Sequence, residues 1–361
     1  MLTLVVEDDR VLRQVEVLLD PRASQERTTA YATYAAHDLA DYLGWRDALR
    51  ATVPGLYPAD VRLVASHEEL LLHLPDADVV IVESFEIGPL ELARAPKLAL
   101  VQNFGVVTEN IDEEACAGRA IPVKTLRRRT NMALAEHTVM FILCLAKRFA
   151  LVNRLVTTDR LLKTGIPQSP YDKRHTAGAN FGRIPGLQSL HGRTLGLLGC
   201  GEIGREVAPR ARAFGMDVVY NKRARLTAEV EQTLGVRYCG FDELFERADF
   251  LSVHVPLSDQ TRNMVNKPAL ERMRPGSFLV NTSRAEIVNL EALVGALESG
   301  RLAGAAFDVL YQEPTLEDDP LLRFDNVLLT PHVAGASRMN GLADAQQMLR
   351  GIWEFMQVNR S

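Results

Sequence analysis

The chain has 361 residues, enough for about two domains, and 47% of them are hydrophobic, enough to build a core in each. With 41 basic and 46 acidic residues the formal charge is -5, which argues against nucleic acid or an anionic membrane as the main partner and favours a small molecule. Cys116, Cys144, Cys200 and Cys239 are widely spaced and match neither a zinc pattern nor a disulfide framework, so no metal is expected and a reducing cytoplasm is the expected compartment.

The opening MLTLVVEDDR lacks a basic n-region and a long apolar stretch, so no secretion signal is expected. Residues 1–60 read as a strand-like LTLVV, a helical pattern and a polar stretch ending at Pro58. From Val61 the pattern becomes regular: VRLVAS, a helical EELLLHL, the strand DVVIVES, a short helix, and the strand KLALVQN leading to a turn at Phe104 and Gly105. This predicts a small α/β domain. The apolar stretch 132–152 contains Glu136, His137, Lys147 and Arg148, too many polar groups for a bilayer span, and is expected to be a buried helix. The polar stretch 164–192 is expected to run over the surface.

Next comes TLGLLGCGEIG at 194–204, an apolar run ending in Gly199, Gly201 and Gly204 and followed by the helical GREVAPRARAFG. Each glycine has a physical use in a dinucleotide site. Gly199 makes the tight turn after a strand, Gly201 lets the backbone approach a pyrophosphate, and Gly204 permits close helix–strand packing. A helix beginning near Ile203 would aim unpaired N–H groups at the phosphates. A second apolar strand, Asp217 to Tyr220, completes the βαβ order, so this is more than a glycine-rich turn.

Strands and helices then alternate: VRYC, DELFERA, DFLSVHV, KPALERM, SFLVNTS, NLEALVGALESG, GAAFDVL and VLLTPHV. That order predicts a doubly wound parallel sheet, and Ser337 to Val358 reads as one amphipathic helix returning to the first domain. Ligands of such sheets sit beyond the carboxyl ends of the strands. Four polar residues fall there: Arg284 after VNTS, Asp308 after GAAF, Glu313 before Pro314, and His332 after VLLTP. A guanidinium that grips a carboxylate in two places, an imidazole, and a carboxylate to orient it are the parts needed to reduce a 2-oxo acid.

From about Val61 to Met356 the chain resembles the D-isomer-specific 2-hydroxyacid dehydrogenases, of the glyoxylate/hydroxypyruvate reductase kind. PKLALVQNFGVVTENID, NMALAEH, GRTLGLLGCGEIG, HVPLSDQTRNMVN, MRPGSFLVNTSRAEIV, ALESGRLAGAAFDVLYQEP and DNVLLTPHVAG carry the resemblance in order and spacing. It implies two Rossmann-like domains, with the coenzyme domain (126–331) inserted into the substrate domain (1–125 plus 332–361). It also implies Arg284 as carboxylate anchor, His332 as acid/base and Glu313 as its partner, with hydride passing between a nicotinamide and the 2-oxo carbon. Phe104, Gly105, Val106 and Val107 would assist Arg284 at the substrate. Gly199, Gly201, Glu202, Ile203, Gly204, Asn221, Lys222, Arg223, His254, Val255, Pro256, Thr261, Thr282, Ser283, Asp308, His332 and Gly335 would hold the coenzyme. A homodimer with the helix around AEH at its interface is implied as well.

An acid at the end of the second coenzyme-domain strand marks NAD-specific members. Here Asn221 stands there, followed by Lys222, Arg223 and Arg225, which favours NADP(H) and leaves NAD(H) as the other option. The substrate loop reads Gly105-Val106-Val107 where Gly-Val-Gly is common, and Arg127, Arg128 and Arg129 replace a Pro-Gly turn; such a triplet is most often solvated surface, and one or two of them facing the cleft would admit a second anionic group on the substrate. Ala285 stands where glycine is usual, and Arg338 lies near the start of the last helix; either would alter the pocket's shape. Formate-oxidising relatives carry glutamine at the place of Glu313, which argues against that chemistry. Residues 1–60 fall outside the resemblance, with decoration of the substrate domain, cover for the cleft, and a subunit contact as open roles. The alternative on the same fold is a nicotinamide-responsive corepressor, a binding function disfavoured by the absence of basic DNA-binding segments. An adenosylhomocysteine hydrolase-like enzyme would need a longer chain.

Overall fold

A computed structural model describes residues 1–166, 174–175, 177–335 and 337–358. Residues 167–173 and 176 of the expected surface stretch, and 336 and 359–361 of the expected C-terminal segment, lie outside the described residues. The chain divides into two compact units, Met1–Met132 with Gly335–Ser361, and Ala133–Ala334. The sequence reading placed these divisions at 125/126 and 331/332, a few residues earlier on each side.

The first unit is built on a parallel five-stranded sheet of β1 (Leu2–Glu7), β2 (Ala59–Val64), β3 (Val79–Val82), β4 (Leu100–Asn103) and β5 (Val123–Lys124), in the order β2-β1-β3-β4-β5. β1 pairs with β2 along its whole length and with β3 on its other side. Residues 1–60 are therefore no addition to the unit: they supply an interior strand, and Leu2, Leu4 and Val6 are buried in the same apolar cluster as Leu18, Leu49 and Val53. The sequence resemblance began too late to register this, because an apolar LTLVV states burial but not its neighbours. Onto the same cluster the helix Met339–Val358 lays Leu342, Ala345, Met348, Leu349, Ile352 and Met356, at the three- and four-residue spacing of one helical face.

In the second unit, seven parallel strands run in the order β12-β11-β10-β9-β6-β7-β8. They are β6 (Thr194–Leu198), β7 (Asp217–Asn221), β8 (Arg237–Tyr238), β9 (Phe250–Val253), β10 (Ser277–Asn281), β11 (Leu302–Phe307) and β12 (Val327–Leu329). Every residue of β9 and β10 is buried, as expected for strands covered on both faces, and Phe250 and Phe278 stack between them at 4.8 Å. From β6 the chain winds outward through β7 and β8, then returns to lay β9 on the other side of β6. The winding reverses between β6 and β9, and such a reversal opens a crevice at the carboxyl ends of the two strands. Both sheets make this an α/β protein with two Rossmann-like doubly wound parallel-sheet units.

Candidate active site

At the carboxyl end of β6, Gly199 takes φ +96°, a conformation that L side chains rarely adopt. A Cβ at this position would lie 2.6 Å from the His254 carbonyl oxygen at the end of β9. At Gly204 a Cβ would come within 2.7 Å of the Gly199 carbonyl oxygen, so the helix Glu202–Ala213 packs onto the turn as closely as glycine allows. Gly201 differs, since nothing lies within 4 Å of a Cβ there, and the space in front of the helix start is open. Glu202 and Ile203 begin that helix, and the first amides of a helix have no acceptor within the helix itself. His254 bonds Ser252 Oγ through Nε2 at 2.8 Å, leaves Nδ1 buried without a partner, and is pushed down to about 4 by burial, so its ring is neutral. A cradle only glycine can line, an open helix start and an unsatisfied buried nitrogen fit a nicotinamide dinucleotide.

Around this crevice the expected coenzyme residues take definite places. Ser283 donates its hydroxyl to the Val255 carbonyl, joining the ends of β9 and β10. Thr261 Oγ1 donates to Pro256 O at 2.6 Å and accepts from Ser258 N at 2.8 Å, closing the loop after β9. Thr282 is buried against Thr138 Oγ1 at 3.1 Å. Asn221 ends β7 and donates Nδ2 to Cys239 O at 2.9 Å, with Lys222 and exposed Arg223 following. Arg225, grouped with these cations by the sequence, is instead held by Glu231 through two bonds of 2.8 Å, and Glu231 also accepts from Tyr220 Oη at 2.7 Å. Gly335 belongs to the first unit.

His332 and Glu313, nineteen residues apart, meet: Nδ1 of the imidazole lies 2.9 Å and 3.1 Å from the two carboxylate oxygens. A carboxylate only accepts hydrogen bonds, so Nδ1 carries the proton and Nε2 is the nitrogen left for chemistry. Burial would raise the Glu313 carboxyl, but the imidazole, the Leu310 N–H at 3.0 Å and the nearby charge of Arg284 outweigh it and hold Glu313 below the ordinary carboxylate range. Exposed Arg284 extends from a turn fixed by Asn281, which donates to the Arg284 carbonyl at 2.8 Å and accepts from Ser283 N at 2.9 Å.

His332 sits at φ +54°, left-handed backbone that costs a non-glycine residue about 1–2 kcal/mol. Asp308, 1% exposed, sustains it by accepting from Val333 N at 2.8 Å, Ala334 N at 2.7 Å and Thr330 Oγ1 at 2.5 Å. The sequence placed Asp308 at the coenzyme; its oxygens are occupied by the turn that presents His332. Sequence reasoning also missed Thr330 and His137, whose Nε2 lies 3.2 Å from Thr330 Oγ1. Burial holds His137 below its ordinary value against the pull of Asp308, so it completes the anchor as a neutral ring. Proximity of Thr330 to His332 was the available signal; none pointed to His137.

Phe104 is buried at the end of β4 in the first unit, with Gly105, Val106 and Val107 following. Asn103 Nδ2 donates to Val107 O at 2.9 Å and Leu126 N to Gly105 O at 2.9 Å, which shapes the loop.

Comparison with known proteins shows the family. Residues 141–334 match the family described as "D-isomer specific 2-hydroxyacid dehydrogenase, NAD binding domain". A glyoxylate reductase of Korarchaeum cryptofilum is 39% identical over 243 residues, 67% of this chain and 68% of the relative. The chain belongs to the D-isomer-specific 2-hydroxyacid dehydrogenases. It is thus an oxidoreductase with a nicotinamide-coenzyme domain and a small-molecule substrate of the 2-oxo or 2-hydroxy acid class. A D-3-phosphoglycerate dehydrogenase of Archaeoglobus fulgidus is 32% identical over 280 residues, 77% of this chain and 49% of that one. Among solved structures, a Granulicella formate dehydrogenase superimposes with a TM-score of 0.52 at 30% identity, covering 87% of this chain and 80% of that one. No helix among the described residues is long and apolar enough to cross a membrane, and no group of three or more metal-ligating side chains occurs among them.

The glycine turn predicts a pair of contrasting variants. Gly199→Ala should destabilise the second unit by about 2 kcal/mol or more, because both φ and the His254 carbonyl oppose a Cβ. Gly201→Ala should melt like the wild type yet bind coenzyme at least about tenfold more weakly, since its methyl fills only the open space. Thermal melts with coenzyme titration read both, and wild-type affinity in Gly201→Ala would remove the pyrophosphate from that place.

Proposed function

We propose that the protein interconverts a small 2-oxo acid and the D-2-hydroxy acid, with His332 as acid/base, Glu313 as its partner and Arg284 as anchor of the substrate carboxylate. The observation that supports this most is the bond between His332 Nδ1 and the Glu313 carboxylate on a turn held by Asp308. When bound, the reduced nicotinamide supplies the hydride. His332 Nε2 gives a proton to the carbonyl oxygen in reduction and removes it from the hydroxyl in oxidation. Glu313 stabilises the imidazolium and fixes its plane. Arg284 offers a planar fork to the substrate carboxylate, and Phe104, Gly105, Val106 and Val107 of the first unit are assigned to the same acid.

Glyoxylate is the first substrate to test, on the similarity to glyoxylate reductases. Loss of reduced-nicotinamide absorbance with glyoxylate or hydroxypyruvate, and formation of D-glycerate from hydroxypyruvate, would support the reading. Absence of turnover across a panel of 2-oxo acids would overturn it.

NADP(H) is the preferred coenzyme in this reading. Asn221 places no carboxylate against a 2′-phosphate, and Lys222 and Arg223 follow it. Arg225 contributes less than the sequence suggested, being paired with Glu231. Asn221→Asp should shift the ratio of kcat/KM values toward NADH by about tenfold or more. A wild-type preference for NADH would contradict the assignment. A homodimer working in the cytoplasm completes the proposal, and light scattering at twice the chain mass would support its assembly.

A further inference from the structure

The carboxyl edge of the first sheet carries an ion pair that the proposed chemistry leaves unused. Arg128 NH1 lies 2.7 Å from Glu83 Oε1, one residue beyond β3, with the Arg128 side chain 13% exposed and that of Glu83 34% exposed. The guanidinium also lies 4.8 Å over the ring of Phe104, next to Gly105. Both ends of the pair are anchored. The buried carboxylate of Glu7, at the end of β1, accepts from Glu83 N at 2.7 Å and Ser84 N at 2.8 Å, and Leu126 N–H bonds the Gly105 carbonyl two residues before Arg128. Burial, with the charges of Asp9 and Glu7, raises the Glu83 carboxyl above its ordinary value and Arg128 opposes this, so the carboxylate depends on the pair.

We propose that the Arg128–Glu83 pair sets the charge specificity of the enzyme, admitting 2-oxo acids with an uncharged side chain and rejecting those with a second anionic group. This rests on the reading that the Gly105–Val107 loop receives the 2-oxo acid. The sequence alone, with three arginines in a row, invited the opposite expectation. Arg128 is neutralised where it stands. A second carboxylate could reach its guanidinium only by displacing Glu83 or by placing two anions around one cation, and like charges brought together in a poorly solvated place discriminate strongly. Without the Glu83 charge, Arg128 would keep an unpaired charge and a buried Nε–H that has no partner, both suited to an added carboxylate.

The test compares kcat/KM for glyoxylate and for a dicarboxylic 2-oxo acid in the wild type, Glu83→Gln and the double variant Glu83→Gln/Arg128→Met. Wild type should favour glyoxylate by at least about tenfold. Glu83→Gln should move the ratio toward the dicarboxylate by about tenfold, mainly through KM, and the added Arg128→Met should cancel that gain. KM for the coenzyme should stay constant, and thermal melts establish that each variant is folded. Equal use of both acids by the wild type, or an unchanged ratio in folded Glu83→Gln, overturns the inference while leaving the functional reading intact. Failure of the wild type to reduce any 2-oxo acid overturns both.

Discussion

Alanine in place of His332 is expected to lower kcat by about a thousandfold or more while coenzyme affinity changes little. Nδ1 is committed to Glu313, so Nε2 is the ring nitrogen left to move the proton, and the imidazole of His137, beneath the same turn, is engaged with Thr330. The fold should survive. The side chain is 50% exposed, and the left-handed backbone at 332 is sustained by bonds from Asp308 to the Val333 and Ala334 amides, which alanine keeps. Turnover, coenzyme titration and a thermal melt on one preparation separate these effects, and near-normal turnover would refute the role. Glu313→Gln should cause a smaller loss and a change in pH profile. Because Glu313 is held below the ordinary carboxylate value, its support of the imidazolium is present above that range and is lost as pH falls through the lowered value. The acid limb owed to Glu313 should therefore disappear in the amide variant.

Arg284→Ala is expected to raise KM for the 2-oxo acid by about a hundredfold or more, because truncating one partner of a charge-assisted pair commonly costs about 2–5 kcal/mol. The exposed guanidinium donates to the Ser283 carbonyl at 2.7 Å, and its remaining donors form a fork matched to a carboxylate. Arg284→Lys keeps the charge but not the fork, and should fall between the two. Coenzyme KM and the melting temperature should hold, since the turn at 284 is fixed by Asn281 and not by the guanidinium. An unchanged KM in Arg284→Ala would move the substrate carboxylate elsewhere.

The second unit was readable in the sequence because its signals are local. A β-strand, a glycine turn and a helix follow one another within 194–213, and each later strand is a short apolar run with a polar residue at its end. The expected helix start near Ile203 falls at Glu202, and the expected strand Asp217 to Tyr220 runs to Asn221. Residues 1–60 were opaque for the opposite reason. LTLVV is apolar in any setting, and only its pairing with Ala59–Val64 on one side and Val79–Ile81 on the other makes it an interior strand. Arg225 and Arg128 were misjudged in the same way: a cation in a row of cations reads as free charge, whereas Glu231 lies six residues away and Glu83 on another strand's end.

Composition, the spacing of Gly199, Gly201 and Gly204, and the order of strands and helices settled the fold class and the kind of coenzyme, because backbone sterics and hydrophobic periodicity act over a few residues at a time. Contact between His332 and Glu313, the burial of Asp308 beneath the turn, and the partners that neutralise Arg128 and Arg225 were decided only in three dimensions. Electrostatic partnership depends on distance through space, which the separation of two residues along a chain does not encode.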